Sequence, residues 1–299
     1  MQLTASYLSD LTSSLDQISS NEQHLTDELS SGVRVNSLSD DPVAVGENVA
    51  LSSRISQDDS YHQATLTATG KLQVTDSTLG SVVSQLTQAI ATATAGDNGT
   101  DNPADLKSVA TKLSGIRDEI LSLANTSYSG SYLFAGSKSN VQPFNLDTSV
   151  DPAVTSYNGD SVQSMLTSPL GSSIALNIPG NQIFSSTSAS VFGTLNQLIS
   201  DFSSGNIAAA QTATAALTTS LSNVSQQRVG IDNSITRIGS EDTTLQTQST
   251  QLLVQQTNLM QANPATVATE LSSNETQQSA LEDAIAALEK QGNLFSILQ

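Results

Sequence analysis

The chain holds 299 residues, with 28 Asp and Glu against 10 Lys and Arg, a formal net charge of −18 at pH 7. So acidic a surface, with a pI near 4.1, repels phosphate backbones and argues against nucleic-acid binding. Absence of cysteine excludes disulfides, thiolate chemistry and zinc ribbons, and no apolar run approaches the roughly 18 residues that span a bilayer, so no membrane insertion is expected. The length leaves room for two or three modest domains. Aromatics make up only 4%, Trp is absent, and Ser plus Thr number 81. Apolar residues this sparse must be used along narrow seams rather than in one large core. The start, Met1 to Asp10, has neither a basic n-region nor an apolar h-region, so a cleaved secretory signal is not expected there.

The first seam is Leu8, Leu11, Leu15, Ile18, Leu25 and Leu29, which step by three and four with Glu22 at the remaining place. Six apolar positions of seven, where the composition would give about two or three, make an a/d coiled-coil stripe. Gly32 is a natural stop for that helix. Asp41 precedes Pro42 and is therefore pushed out of the helical region, while Pro42 suits the first turn of a new helix. Asp41 is thus the expected N-cap, with Arg34 near enough to pair with the Asp40-Asp41 corner.

A second seam runs through Leu72, Leu79, Val83, Leu86 and Ile90, with Asp76 at its vacant place, and fades in the turn-rich stretch Ala95 to Gly99. Pro103 then opens a helix carrying Leu106, Val109, Leu113, Ile116, Ile120 and Leu123, and the two read as an antiparallel pair. Between about 131 and 187 lie four of the seven prolines and several short apolar runs. Asn158-Gly159, between Val154 to Tyr157 and Ser161-Val162, marks a candidate hairpin.

The longest seam follows: Leu217, Leu221, Val224, Ile231, Ile235, Ile238, Leu245, Leu252 and Leu259, interrupted by Arg228, Asp242, Ser249 and Gln256. Nothing forbids one helix from about 206 to 261, which would be roughly 80 Å long. Gly230 and Gly239 are its weak points. The last seam, Val267, Leu271, Leu281, Ile285 and Leu288, is interrupted by Asn274 and Gln278, and Phe295 follows it. A seam so narrow cannot bury itself alone. The two terminal seams therefore either pack on each other or act as assembly segments that find shelter against other subunits.

The expected fold is mainly α with a β-rich insert: a long antiparallel helical rod joined by coiled-coil seams, plus a small β domain. Residues 1–45 and 265–299 would be terminal helices, 46–130 and 188–264 the rod, and 131–187 the β-rich part. Catalysis has little foothold. The acidic pairs lack EF-hand spacing. His24 and His62 each lack a second histidine one turn away and read as surface helix residues, and no serine has a credible base. No catalytic residue, metal site or cofactor is expected, and an enzyme grafted on the insert is the remote reading.

The stretch Leu29 to Pro42, with Gly32, Arg34, Asn36, Asp40, Asp41 and Pro42, resembles the N-terminal signature of the bacterial flagellin superfamily. Pro42 after the acidic pair is more similar to the superfamily's hook–filament junction branch than to filament flagellins, which usually continue with Ala-Ala-Gly. Leu113 to Ile120, Leu123-Ala124-Asn125, Gly130 to Lys138, Pro143-Phe144 and Gly180 to Phe184 resemble the same branch's passage from helix into β domain. Asn293 to Gln299 departs from the usual flagellin ending. The resemblance implies a structural axial protein, an adaptor that joins hook to filament and allows flagellin to assemble; a filament-forming flagellin is the alternative. It implies Leu8, Leu11, Leu15, Ile18, Leu25, Leu29, Leu281, Ile285, Leu288 and Phe295 as the assembly surface. It also implies a ring of like subunits, contacts with another hook-associated protein and with flagellin, an export chaperone, and type III export to the extracellular flagellum without a cleaved signal peptide.

Overall fold

The computed structural model describes residues 2–97, 102–186 and 189–297, without side chains for 2–6, 189, 289 and 291–297. The fold is mostly helical with a small β region. Its helices are α1 (Gln2–Ser31), α2 (Pro42–Asp97), α3 (Pro103–Ala124), the single turn α4 (Gly180–Phe184), α5 (Val191–Ser204), α6 (Ile207–Met260) and α7 (Pro264–Ile297). Each boundary has a local cause. Gly32 ends α1 at φ 70°, a left-handed value that costs glycine nothing, and donates to the Glu28 carbonyl at 2.8 Å. Asn102 caps α3 by accepting from the Ala104 amide at 3.2 Å, with Pro103 at the first position. The α6 helix runs unbroken through Gly230 and Gly239.

Contacts divide the chain into one unit of residues 1–56 and 248–299 and another of residues 57–247. Both divisions fall inside α2 and α6. The domain bounds expected at 45/46 and 264/265 fall close to the helix starts at Pro42 and Pro264.

The unit of residues 57–247 holds the large core. Leu72, Leu79 and Leu86 of α2, Leu113 and Ile120 of α3, and Leu217 and Val224 of α6 are fully buried in one cluster. Polar interruptions of these seams answer one another. Asp76, vacant on α2, accepts from Arg228, vacant on α6, at 2.7 and 3.1 Å. Asp242 accepts from Thr65 at 3.0 Å and meets His62 Nδ1 at 2.8 Å.

The β-rich segment comprises four separate two-stranded antiparallel pairs. They are β1 (Ser127–Tyr128) with β2 (Ser131–Tyr132), β3 (Phe144–Asp147) with β4 (Val154–Tyr157), β5 (Met165–Thr167) with β6 (Ser173–Ala175), and β7 (Ser185–Ser186) with β8 (Ala189–Ser190). The hairpin expected at Asn158-Gly159 does not form. β4 pairs backward with β3, and the Tyr157 ring folds over Gly159 so closely that a Cβ there would collide with it. The Tyr157 hydroxyl donates to the carbonyls of Phe134 and Asp160 at 2.9 and 2.8 Å, which turns the chain away from a return strand.

These hairpins share the helical core instead of enclosing their own. Phe144 stands at the centre, with its ring centroid 5.0 Å from Tyr157 and 5.3 Å from both Phe184 and Phe192. Asn125, just past α3, acts as a surrogate strand: its side chain accepts from the Phe144 amide and donates to the Phe144 carbonyl, both at 2.9 Å. Arg117, only 6% exposed, donates to Asn196 of α5 at 3.4 Å, and Asn196 donates on to Thr155 at 3.3 Å. On the other side, the β5–β6 turn is held by the Glu241 carboxylate, which accepts from Ser172 and from Tyr61. Burial, with Glu241 beside it, raises the Tyr61 phenol to about 12. Phe144→Ala should cost about 3–5 kcal/mol in urea unfolding of this unit; a loss under about 1 kcal/mol would show that the ring cluster does not organise the insert.

Candidate assembly interface

The candidate interface residues all lie in the unit of residues 1–56 and 248–299. Its seam residues become helical neighbours because three-four spacing places them on one side of each helix. The α1 and α7 helices pack against each other. The direction is antiparallel: Leu25 clusters with Ala262, Val267 and Leu271, while Glu22, one turn back on α1, meets Gln278, further on along α7. Both seams thus face one another. Leu25 and Val267 are 4% exposed, but Leu8, Leu11, Leu15 and Ile18 on α1, and Leu281, Ile285 and Leu288 on α7, are only half-buried. Leu29 is 44% exposed. Phe295 falls within α7, but its side chain lies outside the described ones. One neighbour covers one flank of such a stripe; the other flank stays open.

The corner between α1 and α2 is far better fixed. Asp40 accepts from the amides of Asn36 and Ser37 at 2.9 and 2.7 Å and from the Ser37 hydroxyl at 2.7 Å. Those bonds, the Ser37 hydroxyl first, lower its pKa from 3.8 to about 2. Asp41 Oδ1 accepts from the Ala44 amide at 2.9 Å and so caps α2 ahead of Pro42, and this bond is the chief cause of its lowered pKa. Its other oxygen meets Arg34 at 3.2 Å. Arg34 is 45% exposed on its side chain, so screening leaves that ion pair little energy of its own. Asn36 donates from its side chain to the Val33 carbonyl at 3.3 Å.

Long-range bonds then clamp the corner to the end of α6, which sequence reading missed. Ala262 N–H donates to the Gly32 carbonyl at 3.0 Å, Arg34 N–H donates to the Met260 carbonyl at 2.7 Å, and Val33 bridges antiparallel to Gln261. The Arg34 guanidinium also donates to the Leu259 carbonyl at 3.2 Å. Nearby, Gln256 donates to Asn48 and to Ser52, both at 2.7 Å. His24 is a bridge: its ring stands 3.1 Å from Glu28 and 3.4 Å from Asp40. The helical spacing of His24 and Glu28 could have signalled half of that contact; nothing in the sequence signalled the rest.

Among the described residues, no group of three His, Cys, Asp or Glu is placed to hold a metal, and no helix is long and apolar enough to cross a membrane. The arrangement is mechanical: a fixed corner carrying two helices with half-open stripes. Because Asp40 has a folded pKa below its unfolded one, its contribution is complete above about pH 4 and is lost as pH falls toward 2. Protection of the Asn36 and Ser37 amides, taken relative to the intrinsic exchange rate at each pH, should therefore fall across that window, and Asp40→Asn should lower it already at neutral pH. Equal protection in wild type and variant would remove Asp40 from this role.

Residues 4–139, a little under half of the chain, match the family described as the bacterial flagellin N-terminal helical region. Flagellar hook-associated protein 3 of Salmonella typhimurium is 36% identical over 173 residues, which cover 53% of this chain and 51% of that protein. The Escherichia coli protein of the same name is 38% identical over 119 residues, 40% of this chain and 38% of that protein. The matched segments thus span about half the length, or less, of these curated relatives. Among solved structures, a protein designated flagellar hook-associated, from Vibrio parahaemolyticus, superposes with a TM-score of 0.64 at 21% identity over 74% of this chain and 100% of its own. The flagellar junction protein FlgL of Legionella pneumophila gives 0.54 at 16% identity, over 64% and 99%. Likeness at that identity shows the fold alone. Residues 4–139 are therefore similar to the flagellin N-terminal helical region, within a fold that the chain shares with solved flagellar hook-associated proteins.

Proposed function

We propose that the chain is a structural axial protein of the bacterial flagellum, an adaptor that joins hook to filament and allows flagellin to assemble. The observation that carries this reading is the half-open state of both terminal seams on a firmly bonded corner. Aliphatic side chains left half-buried gain about 1 kcal/mol each when a neighbour covers them. A ring of copies, each covering the next one's stripe, would therefore be held by many small increments, with no ligand or catalytic group involved. The names of the curated relatives support this adaptor role over that of a filament-forming flagellin. Residence in the extracellular flagellum, export without a cleaved signal, contact with another hook-associated protein and with flagellin, and escort by an export chaperone follow from the same reading.

The assembly surface consists of Leu8, Leu11, Leu15, Ile18, Leu25, Leu29, Leu281, Ile285, Leu288 and Phe295, with Gly32, Arg34, Asn36, Asp40, Asp41 and Pro42 shaping the corner that presents it. Removing about thirty residues from either end should leave the unit of residues 57–247 folded and helical while abolishing incorporation into flagella. Electron microscopy of a deletion strain should show hooks without filaments, and unpolymerised flagellin in the medium. Intact filaments in that strain would overturn the reading, as would growth of long filaments from the purified chain alone.

A further inference from the structure

Both terminal seams carry polar interruptions, and the interruptions meet. Glu22 is the one non-aliphatic place on the α1 seam; on α7 the interruptions are Asn274 and Gln278. With its amide turned to satisfy both groups, Gln278 donates to each Glu22 carboxylate oxygen at 3.2 Å. One turn earlier on α7, the Asn274 side chain is half-buried, and its amide nitrogen is enclosed without an acceptor. An enclosed donor without a partner costs stability. Aliphatic residues at these places would pack better, so the polar layer contributes something other than stability.

Leucine stripes are promiscuous, and one pairs readily with another. The polar layer is what distinguishes the pairings. If α1 slid by one heptad along α7, Glu22 would leave Gln278 and face Leu271 or Ile285. If α1 paired with α1 of a second copy, Glu22 would oppose either Glu22 or an aliphatic neighbour, and its carboxylate would have no donor. Among heptad registers, only the observed one places the Gln278 amide against Glu22.

We propose that Glu22, Asn274 and Gln278 form a partner-selecting layer that directs α1 to α7 and away from α1 of a second copy. The device works by making the wrong pairings costly while weakening the right one slightly. It concerns the choice of partner by α1, and it stands or falls separately from the assembly role proposed above.

Because the chain has no cysteine, single substitutions report pairing cleanly. In the full chain, Leu15→Cys yields a disulfide-linked dimer only when two α1 stripes meet. Leu25→Cys with Leu271→Cys reports the α1–α7 pair, since these two side chains pack in one cluster. Adding Glu22→Leu and Gln278→Leu should raise the Leu15→Cys dimer at least tenfold under mild oxidation and reduce the internal Leu25→Cys/Leu271→Cys bridge. Circular dichroism should show helix content undiminished, which separates re-pairing from unfolding. If the double variant loses helix, the single Glu22→Leu is read in the same way. Dimer at the native level in a helical variant would overturn the proposal. So would an equal rise with Ser20→Leu, an exposed position off the seam, because added hydrophobicity alone would then suffice.

Discussion

A helix whose apolar stripe is only two positions wide per heptad is held in one register by a neighbour when polar gaps in one stripe meet complementary gaps in the other. That matching constraint recurs through this chain. Asp76 meets Arg228, Asp242 meets His62 and Thr65, Gln256 meets Asn48 and Ser52, and Glu22 meets Gln278. Apart from Thr65, which is buried, these groups are only partly covered, and each pair alone contributes little. Their effect lies in the alternatives. A shifted helix would place a carboxylate or guanidinium against leucine with no partner, which costs more than the matched pair gains. So acidic and aromatic-poor a chain can therefore form long, specific helical pairs without a thick core.

The two units use this constraint to different ends. Five of the six phenylalanines are buried in the unit of residues 57–247, four of them within one ring cluster that also takes in Tyr157. Ring packing there is closed, and the β hairpins are tied to it through Asn125, Asn196 and Glu241. Among the described residues, the core cluster of the terminal unit comprises Leu25, Ala262 and Val267, with Leu271 against it. Its cohesion comes instead from backbone bonds at the Gly32–Arg34 clamp. Cohesion is concentrated at the corner and thins along α1 and α7.

Much of this was legible in the residues themselves. Three-four spacing places Leu8 to Leu29, Leu72 to Ile90, Leu106 to Leu123 and Leu217 to Leu259 on helices because a period near 3.5 has no other regular use. Gly32, Asp41-Pro42 and Pro103 mark boundaries by backbone chemistry that acts within a few residues. The Asn158-Gly159 turn fails for the opposite reason. Its dipeptide is a good local signal, yet Tyr157 folds onto the Phe134 carbonyl 23 residues away, a contact that no local pattern encodes.

Sequence alone therefore determined the long helices, their stripes, the polar gaps and the corner motif, all of which arise from interactions between near neighbours in the chain, but it did not mark α4 or α5. The tertiary structure decided which gap answers which. It set α1 against α7 with one flank of each stripe still open, clamped Gly32 and Arg34 to the end of α6, and merged the β hairpins into the helical core. Those outcomes depend on residues from 19 to 225 or more positions apart meeting in space. Spacing along a chain carries no information about them until the helices are packed.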